Sequence, residues 1–391
     1  MIDRRWLVLI VLFIARCSLG YQFQSVASSA SYMEAELHIG YAVIGTLIGL
    51  QLIPGVALSL PSGMLMTRFC DRMVFVAGLL LMIGGGLLVS VGETVSVLMV
   101  GRLASGAGAA LFIVVLTKML TDWFAKREIV FAMGTLLSSW PFGIALGLIV
   151  QGRLAESFGW RGSMATTALF CLVSLVVLLA FYRPPQDVAA PAAAAATEST
   201  WWNPPDGPAL RSVLIACLAW SCFNLGLILL FSFGASFLSQ RGMAGAEAAA
   251  VTSLALWIAI LSIPLGGFML LRVAMPRLMA SLSYLAAAAA LVALSLGASP
   301  VLAFGLAIGP GPGAIMALPA RVLAPQHRAT GLGLFGSLYA VIVGLGPWVA
   351  GLVVDAAQTP AAALLLGAAL FAICVPLTML FDATERHLPA R

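Results

Sequence analysis

Two arginines stand where charge is costly. Arg16 lies about ten residues into an apolar run, ~15 Å along a helix at its usual rise. Arg102 lies about eight residues beyond Glu93 and Thr94, ~12 Å deep on the same rise. At the centre of a membrane-length helix an arginine costs ~2.5–3.5 kcal/mol on insertion scales, and it persists where it meets a partner or a wet cavity. The 15 Asp and Glu offer no partner at that depth, because every one falls near an end of an apolar run or beyond it. An anion arriving from solution would complete the pair, and the planar guanidinium fork suits carboxylates and similar oxyanions. Two blander readings stay open: backbone carbonyls hold Arg16, and Arg102 has a structural or gating role.

Other polar or aromatic groups near mid-depth are Gln24, Gln51, Trp140, Trp220, Asn224, Trp257 and Tyr339. Of the amides, Gln51 and Asn224 are the better candidates for a substrate site, with helix–helix hydrogen bonding the competing reading. Trp140 and Tyr339 join them as aromatic candidates, with plain packing as the alternative. Six cysteines, most of them inside apolar runs, fit no metal or disulfide spacing. The three histidines lie far apart. No metal or cofactor is expected, and no Gly-x-x-x-x-Gly-Lys-Ser/Thr signature points to ATP.

The elements that must position these groups follow from composition. Of 391 residues, 62% are hydrophobic and 9% charged, and the mean hydropathy is +1.07. A soluble domain carries roughly a quarter charged residues, so a soluble enzyme is excluded. A transmembrane β-barrel is excluded too, because its strands alternate polar and apolar. Apolar windows give twelve spans near 6–30, 39–66, 73–91, 95–120, 128–151, 161–182, 211–237, 247–271, 277–297, 300–320, 329–353 and 359–381. The expected fold is all-α and polytopic. Arg16 interrupts what could pass for a signal-peptide core, so the first span is read as uncleaved.

Of the 20 Lys and Arg, 15 fall at one set of span ends and three, Arg153, Arg161 and Arg241, at the other. The positive-inside rule then places both termini in the cytoplasm of a cell-membrane protein. The net charge of +5 is spread singly or in pairs beside apolar runs, which marks topology rather than a nucleic-acid surface. Prolines at 184, 185, 204, 205 and 208 flank an alanine run, so 183–210 reads as a cytoplasmic linker between bundles at 1–182 and 211–391. Trp201 and Trp202 read as an interfacial pair there. The halves also repeat. A shift of 204 residues lays Gly63–Arg68 over Gly267–Arg272, and Gly101–Ala110 over Gly305–Ala314. Two pseudo-symmetric six-helix bundles are expected, with a site at their interface.

With these motifs in order, the chain resembles the major facilitator superfamily over essentially its whole length. Between spans 2 and 3 the family pattern Gly-x-x-x-Asp-Arg-x-Gly-x-Arg is met by Gly63, Arg68 and Arg72, with Thr67 in place of the aspartate and Cys70 of the second glycine. Asp71 is the candidate substitute for the missing acid. Arg102, Gly106 and Gly108 follow the family's Arg-x-x-x-Gly-x-Gly pattern in span 4, and Trp140-Pro141-Phe142-Gly143 is a loose version of its Gly-Pro motif in span 5. Phe158-Gly159-Trp160-Arg161 before span 6 is similar as well. The resemblance implies that spans 1, 4, 7 and 10 line a central cavity, which would bring Arg16 and Arg102 together.

Within span 10, Gly309-Pro310-Gly311-Pro312-Gly313 cannot be a regular helix, because prolines remove donors and clash with the preceding turn. Pro310 and Pro312 are expected to form a hinge or break. They join Gly63, Arg68, Arg72, Gly106, Gly108 and Pro141 as gating or conformational candidates. The functional expectation is a secondary or facilitative carrier, monomeric and set in lipid. It moves a small organic or inorganic anion by alternating access, with Arg16 the main ligand and Arg102 assisting. Because no acid lies deep in a span, facilitated diffusion, anion exchange, or co-transport with the proton on the substrate gains weight. Efflux of hydrophobic compounds is the alternative within transport. A lipid-acting enzyme lacks a triad, a metal cluster or paired carboxylates, and a non-transporting sensor would give no solute flux.

Overall fold

The structure is a computed structural model that describes residues 4–58, 70–124, 128–183, 205–298, 300–324 and 327–386. Among these, eleven helical segments are long and apolar enough to cross a membrane. One of them, Phe131–Phe181, has 51 residues. At ~1.5 Å per residue that is about twice a bilayer core. It contains two crossings because Gly159 leaves the helix with φ 71° and ψ 167°, a left-handed φ that glycine adopts without a Cβ clash. Spans 5 and 6 therefore meet at the Phe158–Arg161 motif, and twelve crossings follow.

By Cα packing the chain divides into two compact units, Met1–Thr197 and Glu198–Arg391. Most of the expected linker, including Trp201 and Trp202, lies outside the described residues. Span 7 begins at Gly207, four residues earlier than the apolar window, with Pro208 in its first turn. A proline costs nothing there, since that N–H has no intrahelical partner.

In the first unit, span 1 (Arg4–Ser28) packs on the span 5–6 helix, and span 3 (Asp71–Val91) on span 4 (Val95–Thr121). The second unit repeats these neighbours: span 7 (Gly207–Gln240) meets span 11 (Arg328–Ala357), and span 9 (Pro276–Ser295) meets the first piece of span 10. Span 3 with the span 5–6 helix and span 9 with span 12 (Ala361–Glu385) form a further matching pair. Detail repeats as well. A Cβ on Gly143 would overlap the Cys17 carbonyl oxygen, and one on Gly346 of span 11, 203 residues on, would overlap the Leu225 side chain of span 7. Small residues let membrane helices approach at backbone distance, where packing rather than hydrophobic expulsion drives association.

A buried cluster holds one half of the first unit together, built on Leu12, Leu79, Phe112 and Leu136. Phe75 and Phe112 meet within it at 4.6 Å, their rings tilted by 51°.

Candidate functional site

Arg102 is fully buried, at 1% exposure. Its Nε donates to the carbonyl of Leu47 on span 2 at 2.8 Å, Nη1 to that of Gln22 at 3.1 Å, and Nη2 to that of Phe23 at 3.4 Å. One guanidinium thus braces spans 1, 2 and 4. Each carbonyl can take it in addition to its helical bond, since the oxygen has two lone pairs. The same turn of span 1 is held from other sides. Gln22 Nε2 donates to the Met82 carbonyl on span 3 at 2.8 Å, and Gln151 Nε2 to the Tyr21 carbonyl at 2.9 Å. The Tyr21 hydroxyl lies 2.9 Å from Thr166 Oγ1 on span 6.

Arg16 is different. It is half-buried, its Nε is shielded from solvent, and that nitrogen has no hydrogen-bond partner among the described residues. Neither does the guanidinium join any ion pair there. Its neighbours on the helix are fixed: Phe13 meets Phe142 of span 5 edge-on at 5.7 Å, and Cys17 lies against Gly143. The charge is positioned by span 1 and left without a counter-charge among the described residues.

Gln51 is 2% exposed, and neither its Nε2 nor its Oε1 is bonded to a described residue. Its backbone lies against Gly106, where a Cβ would come within 3.0 Å of the Gln51 Cα. The adjoining Ser105 hydroxyl is likewise buried and unbonded among the described residues. Gly108 packs on Gly78 of span 3, whose own Cβ would lie 2.9 Å from the Gly108 carbonyl oxygen. Gly106 and Gly108 therefore serve close packing in this conformation.

In span 5, Pro141 sits inside the helix and cannot donate to Leu137, four residues before it. The Ser138 and Ser139 hydroxyls turn back to the Thr135 and Leu136 carbonyls at 2.8 and 2.5 Å. Trp140 lies 5.6 Å from Phe23 of span 1. In the second unit, Asn224 Nδ2 donates to its own helix at Trp220, 2.9 Å away. Trp220 stacks parallel to Phe223 at 6.1 Å and lies 6.5 Å from Tyr339. The structure brings Trp220, Asn224 and Tyr339 together, and groups Arg102 with the Gln22–Phe23 turn.

Span 10 is broken into Val301–Ala307, Gly311–Met316 and Leu318–Val322. Pro310 and Pro312 remove two donors, and hydroxyls from neighbouring spans take the carbonyls left near the gap. Ser262 Oγ of span 8 (Gly245–Leu270) donates to Gly305 at 2.6 Å, and Ser283 Oγ of span 9 to Ala307 at 2.5 Å. Gly63 and Arg68 lie outside the described residues. Arg72 donates to the Leu179 carbonyl of span 6 at 3.2 Å. In the second unit, Arg277 at the start of span 9 meets the carboxylate of Asp382 on span 12 at 3.0 Å. Asp71, the candidate substitute for the family aspartate, pairs with Lys118 of span 4.

Sequence reasoning missed Gln22, Gln151 and Tyr284. The first two are amides within apolar runs, the same signal that marked Gln51. In the segment after span 1, Glu36 pairs with Arg161 and accepts from Trp160 Nε1 at 2.8 Å. The Arg161 hydrogen bond is the largest influence holding the Glu36 carboxyl below its ordinary pKa, and the Trp160 bond adds to it.

A family model described as Major Facilitator Superfamily matches residues 12–309. Multidrug resistance protein 1 of Bacillus subtilis is 25% identical over 151 residues, 39% of this chain and 39% of that protein. Protein Cj0987c of Campylobacter jejuni is 28% identical over 116 residues, 29% of this chain and 36% of that one. The chain thus spans little more than a third of the length of these relatives. Among solved structures, the inward-open xylose transporter XylE from E. coli superposes with a TM-score of 0.77 at 12% identity, covering 96% of each chain. The nucleoside transporter NupG gives 0.74 at 15% identity, covering 98% of this chain and all of that one. At such identities the likeness is one of fold.

Proposed function

Because the chain belongs to the major facilitator superfamily, a family of transporters rather than enzymes, we propose that it carries a small organic or inorganic anion across the cell membrane by alternating access. It is a multi-pass membrane protein, and in this reading a monomer with both termini in the cytoplasm. One observation carries the choice of anion. Arg16 keeps its guanidinium half-buried, with no ion pair and no bond to Nε among the described residues. A charge held in that state gains most from a ligand that brings the opposite sign. Arg102, whose donors go to three carbonyls, braces the spans around that ligand. Gln51, with both amide ends unbonded among the described residues, supplies neutral hydrogen bonds, and Asn224, Trp140 and Tyr339 complete the substrate contacts.

The hinge at Pro310 and Pro312, with Pro141, Gly63, Arg68, Arg72, Gly106 and Gly108, serves the conformational cycle. The acids of the described spans lie near span ends, which favours uniport, exchange, or symport with the proton carried on the substrate.

The test is a thermal-shift screen of the purified protein against small carboxylates and inorganic oxyanions, run in parallel with Arg16→Gln. A stabilising anion that loses its effect in the variant supports the reading. An anion that stabilises both equally removes Arg16 from the site.

A second reading is efflux of hydrophobic compounds. It is favoured by the Trp220–Phe223–Tyr339 aromatic group and by the partial likeness to a multidrug resistance protein. In that case uncharged lipophilic compounds, and not carboxylates, give the shift.

A further inference from the structure

The second unit contains a cavity of about 780 Å³ walled by the adjoining ends of spans 8, 9, 10 and 12, within the ~300–1,000 Å³ usual for ligand sites. Its wall has two chemical zones. One carries Arg277, Arg321, Asp382 and Arg386. Arg277 and Arg321 share Asp382 at 3.0 and 3.2 Å, and Arg321 also pairs with Glu385. Arg386 is exposed and pairs with no described residue. Three arginines therefore face two carboxylates, and the rim is left positive. The other zone is apolar, and Leu278 and Met379 on it are 52% and 62% exposed. In a membrane protein such side chains belong against acyl chains.

Tyr284 lies seven residues beyond Arg277 on span 9, ~10 Å deeper at the helical rise, and lines the cavity too. It is fully buried, yet its hydroxyl has no hydrogen-bond partner among the described residues. A buried hydroxyl left without a partner in the wall of a cavity calls for an acceptor.

We propose that this cavity binds one anionic glycerophospholipid. Arg386 and Arg277 take the phosphate, Tyr284 donates to an acyl-ester carbonyl, and one chain lies along Leu278 and Met379. A soluble anion would answer the arginines and leave the apolar wall and Tyr284 unmet. A neutral lipid would answer the wall and leave the charge. The positive-inside orientation puts this end at the cytoplasmic leaflet, where anionic headgroups lie.

The site also touches the break in span 10. Gly313 and Ala314 line the cavity, and the Tyr284 ring lies so near Gly311 that a Cβ there would come within 3.1 Å of Cε1. A lipid in place thus props the Gly311–Met316 piece, so the same lipid tunes the hinge. This inference does not depend on the cargo.

The experiment uses full-length protein delipidated in a neutral detergent. Its melting midpoint is read with phosphatidylglycerol, phosphatidylcholine or inorganic phosphate, and retained lipid is counted by native mass spectrometry. Phosphatidylglycerol is expected to raise the midpoint and to remain as one bound copy, while the other two do neither. Ala317→Trp fills the cavity and Arg386→Gln removes the unpaired charge. Both are expected to match the parent in phosphatidylcholine and to lose most of the phosphatidylglycerol shift, with at least tenfold weaker retention. Equal shifts from the two lipids would overturn the proposal, as would variants that keep the shift. A shift from inorganic phosphate alone would overturn it too, by making the cavity a free-anion site. Should Ala317→Trp melt lower even in phosphatidylcholine, the exposed Arg386→Gln decides.

Discussion

Arg102 Nε donates to the Leu47 carbonyl oxygen at 2.8 Å, so a cation on span 4 is bonded to the backbone of span 2 rather than to any side chain. With its further bonds to Gln22 and Phe23, it holds three spans by groups present at every residue. Arg102→Gln breaks this brace. Charged hydrogen bonds are worth ~1.5–3 kcal/mol each in soluble proteins, whereas membrane-buried ones average nearer ~0.6. The expected loss is about 2 kcal/mol, read as a lower melting midpoint with and without substrate. A variant that melts like the parent but fails to bind substrate would instead make Arg102 a ligand.

Close backbone packing gives a paired prediction at two glycines. Gly143→Ala pushes a methyl into the Cys17 carbonyl, and such overpacking costs ~1–3 kcal/mol. Gly84, on an exposed turn of span 3, has nothing within 4 Å of the added carbon. There alanine gains up to ~1 kcal/mol of helix propensity. Melting midpoints should move in opposite directions, and a fall in both would show that the contact between spans 1 and 5 is not the cause.

Acid should weaken the Glu36–Arg161 contact selectively. Glu36 is held ionised by the Arg161 hydrogen bond, aided by Trp160, so its carboxyl titrates lower folded than unfolded. Its contribution is fully present above the ordinary carboxylate pKa of ~4.3 and is lost as pH falls through the lower folded value. The stability difference between parent and Glu36→Gln should therefore be constant near neutrality and shrink on the acid side. A difference that grows as pH falls would contradict this assignment.

The broken tenth span makes its own prediction. Ser262→Ala and Ser283→Ala each leave a carbonyl beside the Pro310–Pro312 gap without its hydroxyl. An orphaned buried acceptor costs ~1–3 kcal/mol. Ser295, exposed and bonded only within its own helix, is the control. The first two variants should melt lower and change transport rate, and Ser295→Ala should do neither.

What the amino-acid order disclosed about this protein divides along a physical line. The span 10 break was legible because proline acts on its own backbone, whereas Gly159 stood out only as part of a family-like motif and its left-handed turn was not read. The twelve crossings were legible because hydrocarbon thickness sets helix length. The partners of Arg102 were not, since Leu47, Gln22 and Phe23 accept through carbonyls that carry no residue identity. Nor was the cavity beside Tyr284, which arises only where the ends of four helices from distant parts of the chain converge. Arg16 was flagged by charge at depth, and the structure adds that no described residue neutralises it.

The most direct measurement is solute flux in liposomes containing only this protein, comparing parent, Arg16→Lys and Arg16→Gln. The expected result is uptake of a small anion by the parent, reduced uptake by the lysine variant, and at least a tenfold loss in the glutamine variant at an unchanged melting midpoint without substrate. Anion flux that persists undiminished in Arg16→Gln would contradict it.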